Sequence, residues 1–131
     1  MNPLIHELFQ KSRLLSKELN NALKQYDLYA AQWSVIYCVN GHGEMTLTQI
    51  WKYLNVEAPT ITRTVNRLEQ MGWLETSVGK DRREKIVRLS GKAIDRMAEI
   101  EQTIIQFEEI SLRNLTKDEE ELLGKLLKKL G

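Results

Sequence analysis

The stretch from Thr46 to Gly72 narrows the choice of fold more than any other part of this chain. Thr46-Leu-Thr-Gln49 has the spacing of a capping box, in which a hydroxyl and an amide each satisfy a backbone N–H at a helix start. A short helix of about 47 to 54 is expected to follow. Asn55 accepts the left-handed backbone of a tight turn more readily than most residues. Pro59 falls where the first turn of a second helix has no use for the missing N–H. That helix is expected over about 58 to 71, closed by Gly72. Two helices joined by so little chain have helix-turn-helix spacing.

The second helix sorts its own faces. Ile61, Val65, Leu68 and Met71 recur at steps of 4, 3 and 3, one apolar stripe that must face the core. Thr60, Thr62, Arg63, Asn66 and Arg67 then point outward, just after Pro59, with one acid, Glu69, near the far end. Arg can donate two hydrogen bonds to guanine in the major groove, Asn can pair with adenine, and Thr can touch a thymine methyl or a phosphate. First-turn N–H groups suit phosphate oxygens. Thr46, Thr48 and Gln49 are expected on the DNA backbone, which the first helix of such a motif crosses. Taken alone, the same pattern describes an ordinary amphipathic surface helix.

What comes next separates the two readings. Trp73–Val78 and Lys85–Ser90 are rich in β-branched and aromatic residues, and the polar loop Gly79–Glu84 between them makes a hairpin. Lys80, Arg82, Arg83, Lys85 and Arg88 crowd that loop and strand. Asp81 is expected to pair with Arg82 or Arg83 and pre-set the loop. A basic loop beside a recognition helix can reach the neighbouring minor groove, where narrow A·T geometry concentrates negative potential. The overall net charge of +1 conceals this. Residues 52–92 carry nine basic against five acidic side chains, whereas residues 93–124 carry three basic against nine acidic. A charge run by itself is usually a solvated face, but a local basic patch can bind a polyanion on a near-neutral protein.

The rest of the chain is helical in pattern. Only two prolines occur. Leu4, Ile5, Leu8, Leu15, Leu19 and Leu23 predict a helix over about 3 to 26. A helix of about 29 to 39 is expected to stop at Asn40-Gly41. Ser90 can cap a helix of about 91 to 113, and Thr116-Lys-Asp-Glu119 opens a last one. The expected fold is therefore mostly α with a small β-hairpin. A length of 131 residues allows one packed core, with 1–26 and 91–131 as flanking helical parts and 29–90 as the nucleic-acid-binding part. Because one recognition helix covers few base pairs, a two-fold homodimer on a pseudo-palindromic operator is expected, with helices about 10 base pairs apart. Leu4, Ile5, Leu8 and Phe9 at one end, and Ile110, Leu115, Leu122, Leu126 and Leu130 at the other, are the candidate dimer surface. Their alternative use is to cover the monomer's own core.

Other classes find little support. No apolar run reaches the ~18 residues of a membrane span, and the N-terminus lacks the basic and apolar regions of a signal peptide, so a cytoplasmic protein is expected. There is no glycine-rich phosphate loop, paired metal-binding histidine motif or nucleophile elbow, and no enzyme, cofactor or metal is expected. Cys38 sits in an apolar run without a neighbouring cation, the setting of an inert thiol. A protein-interaction module built on the same fold should show large apolar anchors on the Thr60–Arg67 face, and none is there.

Asp81-Arg-Arg83 leading into Val87-Arg-Leu-Ser90 resembles the wing signature of the MarR (multiple antibiotic resistance regulator) family of winged helix-turn-helix proteins. Thr60-Ile-Thr-Arg63, Val65-Asn-Arg-Leu-Glu69 and Gly72 resemble that family's recognition helix, and Leu47-Thr-Gln-Ile50 with Leu54 the helix before it. The resemblance covers nearly the whole chain. It implies a transcriptional regulator, most often a repressor, that dimerises through its terminal helices. It places Arg63 and its neighbours in the major groove, and Arg83, with Arg82 close by, in the minor groove. It also implies release by a small, often aromatic, effector between the dimer helices and the winged part, in the neighbourhood of Trp33, Tyr37 and His42. The chain departs from the family pattern at Tyr29, at Glu57, at Thr76-Ser77 and in a wing about one residue shorter. The operator preference does not follow from the resemblance.

Overall fold

The computed structural model describes residues 1–131, in six helices and three strands. Helix α1 (Pro3–Leu23) starts at Asn2, whose side chain accepts from the N–H of Leu4. It ends three residues earlier than its leucine spacing suggests, because Lys24–Tyr26 tighten into a 3-10 turn. Asp27, at φ 57°, closes that turn through its N–H to the carbonyl of Lys24. Helix α2 (Ala30–His42) runs through Asn40-Gly41, the expected stop. The residue that turns the chain is Gly43 instead, at φ 82°, where its N–H reaches the carbonyl of Val39 at 2.8 Å. Helices commonly stop at a residue with positive φ, and here the second of two nearby glycines supplies it.

Strand β1 (Glu44–Thr46) follows directly. Helix α3 (Leu47–Leu54) and helix α4 (Ala58–Gln70) form the helix-turn-helix, with Asn55 left-handed at φ 56° between them. Gly72, at φ 84°, closes α4. Strands β2 (Leu74–Val78) and β3 (Lys85–Leu89) form the hairpin. The sheet has three strands rather than the two expected. Its order is β1-β3-β2 and all pairs are antiparallel, with Glu44 opposite Arg88 and Leu74 opposite Leu89. Only three residues make up β1, too few to show an alternating pattern in sequence.

Ser90 joins the sheet to helix α5 (Gly91–Leu112). Its buried hydroxyl accepts from the N–H of Ala93 at 3.1 Å and donates to the carbonyl of Gly72 at 2.6 Å. One side chain therefore caps α5 and anchors the turn after α4. Helix α6 (Lys117–Lys128) begins with the reciprocal Thr116–Glu119 capping box.

A single cluster of 20 buried apolar residues forms the core. It lies among α2, α3, α4, the sheet and the first half of α5, with Trp73, Ile36, Ile50 and Leu68 fully buried. Leu23 is the only buried residue of α1, and α6 has none. Beyond Leu23 and Leu19, which join or pack against the core, the leucines of the terminal helices lie outside it.

Candidate nucleic-acid interface

Helix α4 has the facing its sequence predicts. Ile61, Val65 and Leu68 are buried and Met71 is half-buried, while Pro59, Thr60, Thr62, Arg63, Asn66 and Arg67 are exposed. The hydroxyl of Thr62 donates to the carbonyl of Ala58 at 3.1 Å. With its proton used within the helix, Thr62 offers an acceptor oxygen and a methyl group outward. Arg63 donates from Nη2 to Oγ1 of Thr60 at 3.4 Å, holding the guanidinium along the face. Glu57 precedes the helix but its side chain makes no cap, so the first turn of α4 is not closed by a carboxylate. Glu69 is less out of place than its charge suggests, because it accepts a hydrogen bond from the Thr76 hydroxyl and ties α4 to β2.

At the start of α3 the polar groups are differently committed. Thr46 and Gln49 bond reciprocally to each other's backbone N–H, at 3.1 and 2.9 Å. Thr48 is exposed and outside this capping box.

The wing Gly79–Glu84 is closed by its own backbone. Gly79 N–H donates to the carbonyl of Glu84, and Glu84 N–H to that of Asp81, both at 2.9 Å. Asp81 takes Arg83 as its partner, not Arg82. Oδ1 accepts from the Arg83 N–H at 3.0 Å and from Nε at 3.3 Å, and Oδ2 accepts from Nη2 at 3.1 Å. The Arg83 side chain and its backbone N–H together hold the Asp81 carboxyl below its ordinary range. Arg83 remains 91% exposed, so the clamp orients the guanidinium without hiding it. Lys80 and Arg82 are exposed and lie in no ion pair. Arg88 points away from the wing, toward Glu44 at 3.8 Å and the Ser77 hydroxyl at 3.3 Å. Lys85 is half-buried and donates from Nζ to Oδ1 of Asn66 at 3.3 Å, a link between the wing and α4 that nothing in the sequence signals.

Leu4, Ile5, Phe9, Ile110, Leu122, Leu126 and Leu130 are exposed, and Leu8 and Leu115 half-buried. Trp33 is buried with its ring centroid 6.4 Å from that of the exposed Tyr37. His42 stands edge-on to Tyr53 at 5.2 Å, and its Nδ1 lies 2.7 Å from the carbonyl of Cys38. None of the three lines the cavity of about 790 Å³ formed where Tyr26, Arg67, Trp73, Lys92 and Arg96 meet. Burial pushes the Cys38 thiol up, and its Sγ donates to the carbonyl of Val35. No three His, Cys, Asp or Glu side chains are grouped as metal ligands.

Residues 28–85 match the model of the MarR family. Over 125 residues the chain is 43% identical to YwoH of Bacillus subtilis (strain 168), described as an uncharacterized HTH-type transcriptional regulator; the match covers 95% of this chain and 91% of that one. Among solved structures, a mutant MarR from E. coli complexed with operator DNA has a TM-score of 0.90 at 28% identity, covering 98% of this chain and 93% of that one. Wild-type MarR from E. coli in its apo form has a TM-score of 0.79, also at 28% identity, covering 98% and 96%. Helix-turn-helix, wing and these likenesses together define a winged helix-turn-helix transcriptional regulator. The chain belongs to the MarR family. That family consists of regulators, not enzymes, which answers the question of catalysis.

Proposed function

We propose that this protein is a homodimeric, sequence-specific binder of double-stranded DNA in the cytoplasm, acting as a repressor. Helix α4 reads the major groove, through Arg63 above all, and the wing places Arg83 in the adjacent minor groove. Residues 29–90 bind DNA, while 1–26 and 91–131 pair two chains. The observation that carries this reading is the backbone likeness over nearly the whole chain to a relative complexed with operator DNA, at a TM-score of 0.90. The exposed donors of α4 and the oriented Arg83 supply the chemistry. A small aromatic effector beside Trp33, Tyr37 and His42 would release the DNA by shifting the dimer to another conformation. Ligand quenching of Trp33 emission, alongside loss of DNA binding, is the expected sign.

Arg63→Ala and Arg83→Ala test the groove assignments on a selected operator. Arg63→Ala is expected to relax discrimination between operator and mismatched duplexes, by about 1–3 kcal/mol at its base pair, more than it lowers non-specific affinity. Arg83→Ala is expected to weaken operator binding and make its salt dependence shallower by about one phosphate's worth. A uniform loss across all sequences for Arg63→Ala would make that residue a phosphate contact. Unchanged binding by Arg83→Ala at the same salt would remove the wing from the interface.

A further inference from the structure

Resting on the DNA-reading proposal above, we infer that Lys85 and Asn66 act as one base-reading pair that selects guanine, with Lys85 the second base contact that turns Asn66 from its usual choice of adenine. Asn66 stands on the exposed face of α4, and Lys85 at the foot of the wing, 19 positions later in the chain. Lys85 Nζ donates to Asn66 Oδ1 at 3.3 Å. That bond settles which end of the amide faces the ammonium: the oxygen does, and the NH₂ group is left outward.

A free asparagine reads adenine by a two-part match, its oxygen accepting from N6 and its nitrogen donating to N7. Here one of the oxygen's two lone pairs is taken by a cation that can only donate, and that cation stands beside the other. An adenine N6 amino group brought to the second lone pair would have the ammonium as its neighbour, donor beside donor, which disfavours adenine there. Guanine presents acceptors at both N7 and O6. The Asn66 NH₂ can donate to N7 while the Lys85 ammonium donates to O6, so every group at the contact is matched. No acid is paired with Lys85 within the chain to compete for its protons. Lys85 therefore does more than add charge beside a phosphate, and it couples the base read by α4 to the position of the wing.

The test is enrichment of bound sequences from a random duplex library by the full-length protein, by Asn66→Ala and by Lys85→Met. The enriched sequences are then measured as defined duplexes at fixed salt. The wild type is expected to enrich a guanine in each half-site at one position that loses its preference in Asn66→Ala. Lys85→Met, whose thioether cannot donate, is expected to shift that same position toward adenine and leave the others alone. For the wild type, replacing that guanine by adenine should cost roughly 5- to 150-fold in affinity. A merely structural role for Lys85 would lower affinity at all positions without changing a preferred base. The inference is overturned if the Asn66-dependent position is already adenine in the wild type, if Lys85→Met leaves it guanine, or if no position depends on Asn66. If the wild type enriches no sequence, the DNA-reading proposal falls first and takes this one with it.

Discussion

Asp81 puts a negative charge on a loop that, by our proposal, approaches a polyanion. Its three contacts to Arg83 give the reason. An exposed ion pair adds little stability, but a guanidinium held in one orientation loses less entropy on entering a narrow groove. Asp81→Asn raises the net charge and on Coulomb grounds alone should bind DNA more tightly. We expect the reverse, a roughly two- to fivefold loss of operator affinity, because the guanidinium loses an ionised partner. Tighter binding by the variant would show that the carboxylate only repels. The pH dependence follows from the sign of the shift. A carboxyl held below its ordinary range contributes wherever it is ionised, and that contribution is lost only as pH falls below the usual aspartate value of about 4. Between roughly pH 6 and 8 the clamp should add no pH dependence to DNA affinity, which anisotropy titrations at constant salt can check.

The elements repeat this economy of partners. Ser90 caps α5 and holds the carbonyl of Gly72 at the end of α4, so one hydroxyl ties the end of α4 to the start of α5. Ser90→Ala removes a cap and strands a carbonyl, and about 1–3 kcal/mol of stability should go with it in urea unfolding. A cost near zero would mean that the Gly72 carbonyl finds water instead. The capping role of Ser90 was readable from the sequence, as were the HTH helices, the buried stripe of α4 and the basic wing, because each is written in local spacing. The elements that escaped depend on distant partners. Strand β1 exists because Met45 lies opposite Val87, a pairing no three-residue stretch can announce. Helix α2 passes Gly41 because Gly43 takes the positive φ, and neither glycine signals which will do so. At the site, the exposed face of α4 was readable but the committed atoms were not. The Asn66–Lys85 and Glu69–Thr76 bonds join residues 19 and 7 positions apart, across a turn that only the folded chain defines.

For the molecule as a whole, much of the exposed aliphatic surface lies near the ends of the chain. Leu4 and Phe9 on α1, Leu122 and Leu126 on α6, and Leu130 just beyond it are each about half exposed or more, and α6 contributes no buried residue to the core. Exposed apolar side chains in such number on the terminal helices are expected to mark an interface. Replacing Leu122 and Leu126 together with glutamate should yield a folded monomer by light scattering, with unchanged helical circular dichroism and no operator binding. A monomer in the wild type would remove the two-fold reading. The dimer and the grooves come together in one experiment: fluorescence anisotropy of the purified protein on a duplex from its own upstream region, with a scrambled duplex beside it, across a salt series. If each half neutralises about four phosphates, log K should fall with log salt at a slope near −7, and the upstream duplex should be preferred throughout. Equal binding to both duplexes at every salt, or none to either by a folded dimer at low salt, would contradict a sequence-specific regulator.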